Sequence, residues 1–308
     1  MKNPSRPTKS QPLVVLISAA IALTLYLWMF LHTESQIGIA ALLCGAVLAV
    51  IVSRRFGTTQ LLEQSAASRP TASNLLAIGS ALVLIAVFYD SHFTLLMLCG
   101  VMLYATTCLG LTLQFGYSGV TNFASAAFFG VGSYATAVLA AHTVIPHLLI
   151  LLISGLSAAL IGSLLILPVL RTRGHYAALV TIAFGILFKT FIEVNDVLGG
   201  PQGLRVPGME LFGFNFNQGF MLFGLEISFY LAYSILSLIT FVTFYAIVSA
   251  LERLWIGLSM DVIRTDETAA ATFGLHIVRW KIVAFTLGNF IVGFAGGIRH
   301  DFWLCCAE

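Results

Sequence analysis

The sequence predicts an all-α, polytopic helical membrane protein of about nine spans. Three observations predict it. The 308 residues are 59% hydrophobic and only 9% charged, whereas a globular domain carries about a quarter charged residues. The apolar runs are long, and about 20 residues at a rise of about 1.5 Å cover the hydrocarbon core of a bilayer. Finally, Lys and Arg gather on alternate connections between those runs.

Taken in order, the apolar runs are 13–31, 37–52, 75–89, 93–113, 120–141, 147–170, 177–193, 228–250 and 282–298. The first is too long for the apolar part of a secretory signal, and no small-residue cleavage site follows it, so it is read as a retained span. Residues 53–74 are polar and read as a linker between a two-span N-terminal piece and the rest. The segment 194–227 is the one long connection on the other side. Gly199, Gly200, Pro201 and Gly203 mark a turn-rich start to it.

Placing the N-terminus in the cytoplasm tests this count. Lys2, Arg6, Lys9, Arg54, Arg55, Arg69, Arg171, Arg173, Arg253, Arg264, Arg279 and Lys281 then lie inside, and only Arg205 and Arg299 lie outside. This is the asymmetry the positive-inside rule requires. It places the C-terminus outside and residues 262–281 in the cytoplasm.

Several chemistries have no residues to carry them. The chain has no His-Glu-x-x-His, no Gly-x-Ser-x-Gly and no His or Cys set with ligand spacing. Its five cysteines suggest no disulfide framework and its seven histidines are scattered. Gly130–Ala135, "GVGSYA", follows no strand and is not a dinucleotide fingerprint. There is no Gly-x-x-x-x-Gly-Lys-[Ser/Thr] loop, so any ATP-driven work needs an ATPase on another subunit. No catalytic residue, metal ligand or cofactor is expected in this chain.

Four constellations are candidates for function. Small residues recur at Gly116, Gly119, Ala124, Ala127, Gly130, Ser133 and Ala137, which lets helix backbones approach closely in lipid. Tyr117, Ser118, Thr121 and Asn122 add polar groups there. The helix is either a tightly packed structural element or the wall of a translocation path. Lys189 and Glu193 are spaced to pair on one helix face, and an intramembrane charge is also a functional candidate. Asn289 lies among Gly288, Gly293, Gly296 and Gly297, again a close-packing pattern.

The fourth is a polar island, "VIRTDETAAATFGLHIVRWK", at 262–281. Thr265 is a good N-cap, Asp266 and Glu267 suit the first turn, and Gly274 suits the C′ position. The local chemistry predicts a helix over 266–273. A helix of two turns is unstable alone in water, so it must dock on something. Ala269 and Ala270 permit close approach and Phe273 is a candidate anchor. The support is either the chain's own helix ends or a cytoplasmic partner.

Three stretches carry a family resemblance: "LGLTLQFGYSGVTNFASAAFFGVGSYATAVL", "VLRTRGHYAALVTIAFGILFKTFIEVNDVLGGPQGL" and "MDVIRTDETAAATFGLHIVRWKIVAFTLGNFIVGFAGG". In order and spacing they resemble LivM-type permeases, the membrane subunits of bacterial ABC importers for branched-chain amino acids. Related permeases import urea or short amides. The resemblance implies a place in the bacterial inner membrane. Its implied partners are a second, similar permease, two cytoplasmic ATPases that bind ATP and Mg, and a periplasmic binding protein.

It also implies that the island is the coupling helix that sits in a groove of the ATPase. That helix has a Glu-Ala-Ala-x-x-x-Gly pattern. Ala269, Ala270 and Gly274 match it, whereas Thr268 holds the acid's position and Glu267 lies one residue earlier. The segment from Gly116 resembles the pore-side segment, and Gly199, Gly200 and Gly203 resemble an external loop near which the binding protein docks. The resemblance divides the chain into an N-terminal extension and linker (1–70), a permease core (71–298) and a tail (299–308). After "GFAGG" the family continues with further spans, whereas this chain ends "IRHDFWLCCAE", which reads as a shortened or frame-shifted end. A scaffold or inactive fragment and an ion-coupled secondary transporter are the competing classes.

Overall fold

The computed structural model describes residues 11–33, 35–143, 145–171, 175–195, 210–211, 214–215, 220–222, 225–227 and 229–305. They fold into twelve α-helices, one π-helical turn and four very short strands. Among the described residues, eight helices are long and apolar enough to cross a membrane. The chain divides into two compact units, Met1–Leu95 and Leu96–Glu308.

In the first unit, α1 (Gln11–His32) packs on α3 (Thr58–Ser68) and α4 (Pro70–Val87). Ser35 caps α2 (Gln36–Phe56) by accepting from the Gly38 N–H at 3.2 Å. The polar stretch 53–74 has regular structure. Most of it is helical, because Leu, Glu, Gln and Ala are good helix formers. Gly57, at φ 72°, turns the chain between α2 and α3, and Pro70 opens α4 at the first helical position, where its missing N–H costs nothing.

In the second unit, α12 (Ile277–Cys305) lies against α6 (Ser125–His142) and α7 (His147–Arg171), and is the most buried of the eight candidate spans. Small residues permit this. A methyl group added at Gly132 of α6 would run into the backbone of Gly293 on α12, and one at Gly296 into the carbonyl of Phe129. The Ser133 hydroxyl donates to the Gly296 carbonyl at 2.7 Å. Around this seam Phe128, Phe285 and Val292 are fully buried, and the Phe128 and Phe285 rings meet edge-on. Gly132 and Ser133 of α6 and Gly293 and Gly296 of α12 thus form a helix–helix seam, whereas Gly130 faces Phe188 and Gly119 faces Arg264.

Two further expectations change. The expected span 120–141 begins as non-helical backbone and becomes α6 only at Ser125. α5 (His92–Leu111) runs into a π-helical turn, Thr112–Tyr117, and the chain then breaks at Gly119, whose φ of 69° is left-handed. α6, whose 18 residues include Gly, Ser, Thr, Tyr and a terminal His, is not among the eight, although it is central to the packing. Second, the helix does not stop at the expected tail. α12 continues to Cys305, and the Arg299 guanidinium lies 4.7 Å over the Tyr104 ring of α5. Within 194–227, β1 (Glu210–Leu211) pairs antiparallel with β2 (Phe214–Asn215), and β3 (Phe220–Leu222) with β4 (Leu225–Ile227).

Candidate functional site

Two arrangements stand out in the second unit: the connector between the last two long helices, and a set of buried amides beneath it. The connector starts where α9 (Phe229–Arg253) ends. α10 (Trp255–Thr265) turns back so tightly that a methyl group at Gly257 would come within 2.5 Å of the Glu252 carbonyl. α10 buries Met260 and Ile263 against the rest of the unit, and Asp261 and Arg264 pair at 2.8 Å on its exposed side. Arg264 also packs over Gly119 at the chain break.

The short helix predicted at 266–273 is present as α11 (Glu267–Thr272). Its cap is corrected by one residue. Thr265 ends α10 and donates to the Asp261 carbonyl at 2.8 Å, so Asp266 takes the N-cap position. The Asp266 carboxylate accepts from the N–H groups of Thr268 (2.8 Å) and Ala269 (3.1 Å) and from the Thr268 hydroxyl (2.6 Å). The Thr268 hydroxyl, then the two backbone donors, hold its pKa below the usual carboxylate value. At the other end Phe273 is the C-cap and Gly274, at φ 79°, the C′ residue. The Leu275 N–H reaches the Ala270 carbonyl (3.1 Å) and the Gly274 N–H the Ala271 carbonyl (3.0 Å). Those two bonds are a complete Schellman motif.

Six residues therefore hold a helix because both ends are capped and one side is supported. Ala270 is fully buried against the chain itself, and Ala269 is half-buried. Glu267 pairs with Lys281 on α12, with Oε1 and Nζ 2.5 Å apart. Phe273 points away, 81% exposed. Ala270 and the Glu267–Lys281 pair thus support α11 from the chain itself, while Phe273 faces outward.

The second arrangement joins residues predicted separately with one that was missed. Gln114, Asn122 and Asn289 are all buried. The Gln114 side-chain amide donates to Asn289 Oδ1 (2.9 Å) and to the Phe285 carbonyl (3.1 Å). The Asn122 amide donates to Gln114 Oε1 (2.7 Å) and Asn289 Oδ1 (3.2 Å), and Asn122 Oδ1 accepts from the Ala124 N–H at 2.9 Å. Gly162 of α7 makes the room, since a methyl group there would strike the Asn289 amide nitrogen. The π-helical turn, the break before α6 and the middle of α12 are thereby tied at one point. The signal for Gln114 was present in "LTLQFGY", where a glutamine inside an apolar run needs a partner as much as an asparagine does.

Of the other predicted path residues, three lie beside this knot and Lys189 lies apart from it. Ser118 is buried and donates to the Gln114 carbonyl at 2.6 Å. Tyr117 and Thr121 are half-buried beside it. Lys189 and Glu193 pair with each other at 3.5 Å on an exposed face of α8 (His175–Val194). Gly199, Gly200 and Gly203 lie outside the described residues. Among the described residues, no group of three or more His, Cys, Asp or Glu side chains is placed to hold a metal ion.

A family model described as the permease component of the branched-chain amino acid transport system matches residues 93–299, a range that holds both arrangements. The chain belongs to this family. The permease proteins LivM of the high-affinity branched-chain amino acid transport systems of Escherichia coli (strain K12) and Salmonella typhimurium (strain LT2) are 33% and 32% identical to it. Each match covers 63% of this chain and 49% of the relative, so the chain spans about half the length of the curated relatives it matches. No solved structure matches it. As a permease component with eight apolar helices of membrane-crossing length, it is a multi-pass inner-membrane protein.

Proposed function

We propose that this permease component is the membrane subunit of an ATP-driven importer, and that α11 is the element through which ATPase motion enters it. The observation that carries this reading is the form of α11: a helix of six residues, capped at both ends, braced from beneath by Ala270 and Glu267, with Phe273 left outside. A plain connector needs neither the double cap nor an exposed phenyl ring.

In this reading the N-terminus and the α10–α11 connector lie in the cytoplasm, where Arg253, Arg264, Arg279 and Lys281 collect. ATP and Mg bind on two partner ATPases, a second permease completes the path, and a periplasmic binding protein delivers a branched-chain amino acid near Gly199, Gly200 and Gly203. The partner binds the solute first, so the path needs only weakly polar groups such as Tyr117 and Thr121. The Gln114–Asn122–Asn289 knot acts as a fixed bolt at the foot of α6. The two LivM relatives belong to branched-chain amino acid transport systems, which supports this choice of solute.

The test is co-purification with the neighbouring ATPase subunits, paired with solute uptake in cells lacking their own permease. Phe273→Asp is expected to abolish ATPase association while leaving the permease in the membrane. Retained association sinks the docking role of α11, and uptake of urea or a short amide in place of leucine overturns the solute.

A further inference from the structure

We infer that α10 is an interfacial helix whose second face rests in the lipid headgroup region of the bilayer. α10 has two apolar sides. One, with Met260 and Ile263, is buried in the protein. The other carries Trp255 and Leu258, each 64% exposed, and is extended by the exposed N-cap residue Leu254. An aromatic and two leucines facing water would be a cost without return, so the level at which this face sits decides what covers it.

Two relationships give that level. α10 starts two residues beyond Arg253, the end of a candidate span, and the close approach of Gly257 to the Glu252 carbonyl keeps its first turn against that end. The Trp255 ring also meets the Trp280 ring edge-on, with centroids 5.3 Å apart. Trp280 lies one turn inside the candidate span Ile277–Arg299. Trp255 therefore shares the depth of a residue that is itself within a span. Tryptophans favour this depth because the ring is apolar and its N–H needs a polar partner. An amphipathic helix settles there with its apolar face about 5–10 Å into the headgroup and acyl boundary.

The charges agree. Arg253 and Arg279 flank the Trp pair in sequence and are exposed, where anionic headgroups attract them. Asp261 and Arg264, further along α10, are half-exposed and neutralise each other at 2.8 Å. The partner is thus the lipid surface, and anchoring α10 there holds the adjoining α11 at a constant height. This inference depends on the chain spanning a membrane and not on which solute it moves.

Depth-dependent quenching tests it. The full chain is reconstituted in phosphatidylcholine and phosphatidylglycerol vesicles with Trp28→Phe, Trp280→Phe and Trp303→Phe, leaving Trp255 as the only tryptophan. Lipids brominated near the headgroup end of the acyl chain are expected to quench Trp255 strongly, and aqueous acrylamide weakly. Because Trp280→Phe alters the ring pair, a second measurement keeps all four tryptophans and carries a spin label at Leu258→Cys in a background without the native cysteines. That label is expected to collide more with oxygen than with an aqueous nickel reagent. Acrylamide quenching without bromolipid quenching, or a label more accessible to nickel than to oxygen, overturns the assignment. Loss of bromolipid quenching on adding the ATPase subunits assigns the face to a protein partner and equally overturns it.

Discussion

Glu267 and Lys281 meet across 14 residues of sequence, their Oε1 and Nζ atoms 2.5 Å apart, and the pair fastens α11 to the first turns of α12. The lysine is only 16% exposed while the carboxylate is 56% exposed. The acid thus has a partner within the permease itself.

Removing this pair should loosen α11 without unfolding the spans. An exposed ion pair contributes about 0.2–1 kcal/mol, and the sheltered lysine puts this one toward the upper end. Glu267→Ala and Lys281→Ala are each expected to speed hydrogen exchange at the Ala270 and Leu275 amides by a few-fold. The charge-swapped double variant Glu267→Lys with Lys281→Glu should recover much of the protection. Equal exchange in all four proteins would show that the pair braces nothing.

The Asp266 cap makes α11 sensitive to acid. Its carboxyl is held below its ordinary value of 3.8, chiefly by the Thr268 hydroxyl. A carboxyl lowered in the folded state stabilises fully above its unfolded pKa, and that contribution is lost as pH falls through the folded pKa. Exchange protection of the Thr268 and Ala269 amides, corrected for intrinsic rate, should thus hold down to about pH 4 and decline below it. Asp266→Asn keeps an acceptor and should flatten the decline. Asp266→Ala should remove the protection at every pH.

The amide knot should be costly to break from any corner. Replacing Gln114 by leucine leaves the buried amides of Asn122 and Asn289 short of partners, and each such loss costs about 1–3 kcal/mol. Gln114→Leu is expected to lower the thermal midpoint in detergent clearly, while Phe115→Leu beside it, on an exposed position, should change little. A Gln114→Ala and Asn122→Ala double-mutant cycle should show coupling, because the two side chains bond directly. Additive losses would mean that the bond contributes nothing of its own.

The seam between α6 and α12 admits no added carbon. Gly132→Ala places a methyl group against the Gly293 backbone, which no rotamer change relieves, and overpacking of this kind costs about 1–3 kcal/mol or more. Gly45→Ala and Gly79→Ala meet nothing within 4 Å. Both should be neutral or slightly stabilising, by about 0.5–1 kcal/mol, as alanine is the better helix former. Thermal unfolding of the three variants separates these outcomes.

The spans and α11 were legible because their causes are local. A run of apolar side chains meets the lipid requirement wherever it sits in the fold, and the Asp266 and Gly274 caps act on backbone groups within a few residues. Local reasoning failed where neighbours decide. Thr265 and Asp266 are both good caps, and the backbone break between α10 and α11 selects the second. The helical form of the polar stretch 53–74 was not read, although its Leu, Glu, Gln and Ala favour the helix that becomes α3. The break itself was legible at Gly119, just before the run 120–141, but nothing within the run showed that the helix would start only at Ser125.

By itself the sequence determined that the chain crosses the membrane several times, that its small residues permit close helix contact, and that a short capped helix lies between the last two long spans. Those properties follow from hydropathy and backbone chemistry, which act at the range of one turn. Only the tertiary structure decided that Ala270 faces inward, that Glu267 belongs to Lys281, and that Asn122 and Asn289 share a bond network with Gln114. Each of those depends on where α12 lies against the chain break and the connector. That position is set by packing between helices far apart in sequence, for which no residue pattern carries the address.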